Sequence, residues 1–178
     1  MSRQNIIHRL RRLRNWEFIN IFFLPTCLYI SLTFLQVQYW QPYAYSMFII
    51  CVILAQAVFY WHLKLQAIRK NEATLPPYFY QFFSFFKWMN VILLLIYLGL
   101  IFCNELTVVV NFQVSIWSNL IFLFAVFEYI NYYHYQLSHD NLNDIRYLLK
   151  HKKIRRSPLY VDMSRNRQVL DSVDPNFG

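Results

Sequence analysis

The chain has 178 residues, 57% apolar, 20% aromatic and 15% charged, with 17 Lys and Arg against 9 Asp and Glu and a formal net charge of +8; an ordinary soluble domain is about 45–50% apolar and about 25% charged. Two glycines in all exclude collagen, Gly-rich linkers, a dinucleotide fingerprint and a phosphate-binding loop, each of which needs closely spaced glycines. Three cysteines, an odd number, exclude a fully paired disulfide framework, and this much apolar content excludes disorder over most of the length.

The N-terminal arm, residues 1–16, places Ile6, Leu10 and Leu13 on one helical face, with Arg9, Arg11, Arg12 and Arg14 on the others. This pattern predicts a basic amphipathic helix lying in a membrane interface, its guanidinium groups at anionic lipid headgroups. Four apolar segments follow, at 18–37, 45–65, 79–102 and 108–133. Each reaches the roughly 20 residues that a helix needs to cross a hydrocarbon core of about 30 Å. A soluble helical bundle is the competing reading, but its helices would carry a polar face, and residues 47–59 and 91–103 show almost none. Pro25 interrupts the backbone ladder of the first segment and predicts a kink there. No small-x-small cleavage site follows that segment, so it reads as a retained span rather than a signal peptide.

Basic residues decide orientation. They occupy the N-terminal arm, the loop between the second and third segments (Lys64, Arg69, Lys70) and the region after the fourth, while the other two connections hold neither Lys nor Arg. Both termini are therefore expected in the cytoplasm, with the chain in a plasma membrane. After the spans, residues 138–156 predict a second basic surface helix. Asp140 is its N-cap, Leu142, Ile145, Leu148 and Leu149 form its apolar stripe, and Lys150, Lys152 and Lys153 contact headgroups. Residues 157–178 lack apolar periodicity and are expected to form a mobile tail. The fold class expected is all-α: a multi-pass integral membrane protein with four transmembrane helices and a basic amphipathic helix at each end.

Ionisable and amide side chains inside spans are costly and need partners. Lys87 and Glu128 come out at similar depths in the cytoplasmic half and are expected to pair. Asn20, Gln56, Asn90, Asn131, Tyr135 and His139 are expected around them as an intramembrane polar cluster, either structural or ligand-binding. Glu128, Asn131, His134 and His139 include metal-binding atoms but lack the repeated Glu-x-x-His pairs of a di-iron bundle, so no metal or other cofactor is expected. Nothing matches a catalytic triad, a zinc-protease motif or a paired-cysteine motif. The basic arms carry no nucleic-acid recognition module.

The segments Glu128-Tyr-Ile-Asn-Tyr-Tyr-His-Tyr-Gln-Leu-Ser-His-Asp140, Arg146-Tyr-Leu-Leu-Lys-His-Lys-Lys153, Ser157-Pro-Leu159 and Tyr60-Trp-His-Leu-Lys-Leu65 resemble a family of small four-span bacterial membrane proteins without an assigned activity. The resemblance implies a bacterial plasma membrane and carries over no catalytic residue. Together these features predict a non-enzymatic membrane protein that acts as a scaffold, assembly or regulatory subunit through anionic lipid, a protein partner or a second copy of itself. A small transporter or channel component using a Lys87/Glu128 site is the alternative.

Overall fold

The structure is a computed structural model that describes residues 3–37, 39–72, 74–102, 112–137 and 154–173. Among these residues the fold is all-helical: α1 (Arg3–Phe34), α2 (Gln41–Lys70), α3 (Phe79–Phe102), α4 (Phe112–Tyr133) and α5 (Pro158–Val173). Helices α1, α2 and α3 are long and apolar enough to cross a membrane.

The basic arm is not a separate surface helix. It forms the first turns of α1, which runs unbroken for 32 residues, about 48 Å at 1.5 Å per residue. Of the positions expected to face lipid, Leu10 is buried and Leu13 packs against the core beside Ile7, both toward α2, whereas Ile6 is exposed. Arg3 Nη2 donates to the carbonyls of Ile68 (2.7 Å) and Arg69 (3.2 Å), placing a cation where the orphan carbonyls of α2 collect. α1 and α2 are therefore antiparallel over their length. Helix α1 also continues through Pro25. Proline has no N–H to give the carbonyl four residues back, and that carbonyl, Ile21 O, is approached by Cys51 Sγ of α2 at 3.7 Å.

Both long helices end without glycine. Gln36 (φ 49°) and Asn71 (φ 60°) take the left-handed conformation. At the first end Val37 N–H reaches Leu32 O and Gln36 N–H reaches Thr33 O; at the second Glu72 N–H reaches Ala67 O and Asn71 N–H reaches Ile68 O. This paired closure satisfies the last carbonyls of each helix.

α2 is the central element, packing on α1, α3 and α4, whereas α3 and α4 touch only marginally. Of the apolar stretch of α2, 61% is buried inside the protein, against none of that of α1. Ile49, Ile53, Tyr60, Phe79, Phe83 and Ala125 are fully buried in the core, and Phe59, Phe79, Phe82 and Phe83 interlock where α2 and α3 meet near the turn that joins them. The outward faces of α1, α3 and α4 carry Phe22, Phe34, Trp88, Ile92, Phe102 and Trp117, all strongly exposed.

The expected mobile tail is, over residues 158–173, the helix α5. Ser157 is its N-cap, accepting the Tyr160 N–H at 3.1 Å, and Pro158 occupies the first helical position, where a missing N–H costs nothing. Leu159 and Met163 are buried against the core, and α5 packs on both α3 and α4. The start of α1, the α2–α3 turn and α5 thus lie at one end of the molecule. Residues 138–153 of the expected second surface helix lie outside the described residues. Its last residue, Arg156, is not helical but pairs with Tyr135 in an isolated antiparallel bridge.

Candidate functional site

The helix register brings two of the expected cluster residues together. Gln56 on α2 and Asn90 on α3 exchange two hydrogen bonds: Gln56 Nε2 donates to Asn90 Oδ1 at 3.1 Å, and Asn90 Nδ2 donates to Gln56 Oε1 at 2.7 Å. Tyr133 of α4 adds its hydroxyl, donating to Gln56 Oε1 at 2.7 Å. All three side chains are buried, so each bond also removes the cost of leaving a polar group unsatisfied. This knot fixes the relative heights of α2, α3 and α4. Further from α5, the buried hydroxyls of Ser46, Tyr97 and Ser118 converge from the same three helices.

The expected Lys87–Glu128 pair does not form: among the described residues no ion pair joins them. The depth argument placed both residues at one level, but α4 packs chiefly on α2 and touches α3 only marginally. Glu128 hydrogen-bonds Asn131 of its own helix and faces Glu17 of α1, while Glu17 accepts a hydrogen bond from the Tyr132 hydroxyl. Asn131 also closes the end of α4, its Oδ1 accepting the Leu137 N–H at 2.8 Å. Asn20 is half-buried on α1 and stays outside the knot. Tyr135 lies beyond the end of α4, stacked on Arg156, and His139 lies outside the described residues.

A second polar group, absent from the sequence reading, holds α5 to the bundle. Asp162 Oδ2 accepts from Lys64 Nζ at 2.6 Å and from the Tyr60 hydroxyl at 2.7 Å, and Lys64 Nζ also donates to the Tyr60 oxygen at 2.9 Å. One turn on, Asn166 reaches the start of α3: its Oδ1 accepts the Tyr80 N–H at 3.2 Å, and its Nδ2 donates to the carbonyls of Leu75 and Pro76. A side chain from α5 thus caps an N–H that α3 cannot satisfy itself. At the other end, Ser157 Oγ donates to Tyr132 O at 2.6 Å. Ser157-Pro158 was the legible signal, a helix start rather than a tail. Asp162 had none, because its partners lie about 100 residues away in sequence.

The bridge after α4 assembles a third, cationic group. Ser157 N–H donates to His134 O at 3.1 Å and Gln136 N–H to Arg155 O at 2.9 Å, which sets Arg156 beside Tyr135. The Arg156 guanidinium lies 4.8 Å from the Tyr135 ring and 4.9 Å from the Tyr160 ring. Burial, with Lys87 and Arg156 nearby, holds the His134 imidazole below its ordinary pKa.

Of the expected headgroup contacts, Arg11 and Arg12 are exposed and Arg9 and Arg14 half-buried. Arg11 and Arg12 line a shallow groove of about 310 Å³ with His8, Asn15, Trp16 and Ile19. Lys150, Lys152 and Lys153 lie outside the described residues. Among the described residues no group of three or more His, Cys, Asp or Glu side chains could hold a metal ion. Comparison with known families, curated proteins and solved structures finds no match.

Proposed function

We propose that this chain is a four-span protein of the bacterial plasma membrane with both termini in the cytoplasm, a member of the small four-span family it resembles. It acts without enzymatic activity as a scaffold, assembly or regulatory subunit. The observation that carries this reading is how the inner polar side chains are used. Gln56, Asn90 and Tyr133 satisfy one another, and Lys64, Tyr60 and Asp162 fasten α5 across the helix ends. These groups build a rigid cap rather than line a reaction chamber.

Several features support the membrane part. The exposed aromatic and aliphatic faces of α1, α3 and α4 suit acyl chains and would be a liability in water. Glu17 meets Tyr132, and Lys87 lies one turn from the Gln56–Asn90 knot, so one level crosses α1 near Glu17, α3 near Lys87 and α4 near His134. Beyond that level α1 has 17 further residues to Phe34 and α3 has 15 to Phe102, roughly 26 and 22 Å of apolar helix. On the other side lie the basic start of α1, Arg69, Lys70 and α5, the arrangement that the positive-inside rule gives a cytoplasmic end. α4, with 22 residues in the described helix, is the fourth span.

The partners in this reading are anionic lipids at Arg9, Arg11, Arg12 and Arg14, and at Lys150, Lys152 and Lys153, together with a protein partner or a second copy at the cap; nucleic acid is not among them. The carrier alternative has no Lys87–Glu128 ion pair to rest on. Native mass spectrometry of the protein gently extracted from its own membrane tests the function. The proposal expects a fixed stoichiometry with another polypeptide or with further copies. A lone chain that conducts ions or solute in proteoliposomes would overturn it.

A further inference from the structure

A lysine inside an apolar helix normally finds a carboxylate or reaches for the interface. Lys87 is half-buried on α3 and makes no hydrogen bond or ion pair among the described residues. The knot sets its height. Asn90 is level with Gln56 and Tyr133, Lys87 lies three residues before Asn90, about 4.5 Å nearer the inner end, and His134 directly follows Tyr133. The bridge then brings Arg156 to the same edge, with the Ser157 N–H on His134 O.

Lys87 and Arg156 both lie close enough to the His134 imidazole to act on it electrostatically, so two cations and an imidazole from three separate parts of the chain share this edge. Among the described residues, the carboxylates nearest in sequence to His134 and Arg156 are engaged elsewhere: Glu128 with Asn131 and Glu17, Asp162 with Lys64 and Tyr60. Gathering like charges without a counter-charge is unfavourable, so the arrangement calls for an anion. The Arg156 side chain is pre-oriented for one. Two tyrosine rings near 5 Å steady the planar guanidinium while the residue stays exposed, a setting that suits bidentate recognition of a phosphate.

We propose that Lys87, His134 and Arg156 form a binding site for a phosphate group at the inner membrane surface, filled by the headgroup of an anionic phospholipid. Arg156 supplies the bidentate contact, Lys87 the point charge reaching down from the apolar layer, and His134 a ring N–H. The exposed Trp88, Ile92, Phe124 and Phe127 of α3 and α4 lie further toward the membrane centre, where the acyl chains of the same lipid would run. The choice of a lipid source rests on the membrane reading above; the phosphate chemistry does not.

The test is native mass spectrometry of the full chain in detergent, titrated separately with phosphatidylglycerol, phosphatidylcholine and inorganic phosphate. One retained phosphatidylglycerol per chain is expected, in preference to phosphatidylcholine. Its affinity should fall about tenfold in Lys87→Gln and in Arg156→Gln. Arg156→Lys, which keeps the charge and the fold but loses the fork, should also weaken it, while Arg165→Gln on the exposed face of α5 should leave it unchanged. Saturable binding of inorganic phosphate with the same variant dependence, and no lipid preference, would keep the phosphate site and overturn the lipid source. Phosphatidylglycerol retention in Arg156→Lys and Lys87→Gln equal to that of the unaltered chain would overturn the site itself. Carbonate extraction of the unaltered chain from membranes reads the membrane assignment independently: release into the soluble fraction would refute that assignment and leave the phosphate titration interpretable.

Discussion

Asp162→Asn removes the charge that joins α5 to α2 while keeping the shape of the side chain. In the intact protein that carboxylate accepts from Lys64 at 2.6 Å and from Tyr60 at 2.7 Å, and the two charged side chains are 27% and 14% exposed. Hydrogen bonds to charged groups contribute about 1.5–3 kcal/mol each. Lys64 keeps enough exposure to swing toward water when its partner is lost, and the asparagine oxygen still accepts one bond, so the net cost is about 2 kcal/mol. Leu159, Met163 and Asn166 remain in place, so the cost should fall on local opening of α5 rather than on global unfolding. At about 1.4 kcal/mol per factor of ten, the opening constant of α5 rises roughly 30-fold. Hydrogen exchange followed by mass spectrometry reads this directly: peptides within 158–170 should exchange about 30-fold faster, with those from the middle of α2 unchanged. Replacing both partners, Lys64→Met with Asp162→Leu, should restore much of the protection, because an apolar pair avoids the buried unpaired charge. Exchange of α5 within twofold of the unaltered chain in Asp162→Asn, or an equal rise in every helix, would refute the reasoning.

Two further predictions concern the knot and the cationic edge. Asn90→Leu strands part of the buried Gln56 amide and should lower stability in detergent by about 1–3 kcal/mol; the double variant with Gln56→Leu should cost less than the sum of the two singles by at least about 0.5 kcal/mol, and additive thermal shifts would contradict the pairing. His134 takes up its proton at lower pH in the folded chain than the ordinary value of about 6.5. In the window from that value down to the lowered one, the unfolded chain binds more protons and stability falls as pH falls. The melting temperature should therefore drop between pH 7.5 and pH 5.5, and drop less in His134→Gln; identical slopes for the two proteins would refute it.

The apolar runs announced α2 and α3 nearly to their ends, because a helix that buries or immerses every face leaves a continuous signal in sequence. α5 left no such signal. Its docking face is Leu159, Asp162, Met163 and Asn166, a regular helical spacing in which two of the four positions are polar, so a search for apolar periodicity passes over it. The N-terminal arm was legible as a helix but not as part of α1. Its stripe of Ile6, Leu10 and Leu13 fits a lipid surface and a protein surface equally well, and only the position of α2 decides that Leu10 and Leu13 turn to the protein while Ile6 stays exposed. Gln56 and Asn90 were recognisable as intramembrane amides needing partners. Pairing Lys87 with Glu128 depended on helix rotation, which depth and a 100° wheel do not supply. Arg156 acquired its setting from the bridge to Tyr135, a contact between residues 21 positions apart that no local pattern encodes.

The central claim is a four-span chain whose basic ends and α5 share the cytoplasmic side. Single cysteines in a background lacking Cys27, Cys51 and Cys103, labelled with a membrane-impermeant maleimide in intact cells and in inverted vesicles, test it most directly. Arg69→Cys and Arg165→Cys should react only in inverted vesicles and Glu105→Cys only in intact cells. Labelling of Glu105→Cys and Arg69→Cys from the same side would contradict the topology, and with it the cytoplasmic cap on which the proposed function depends.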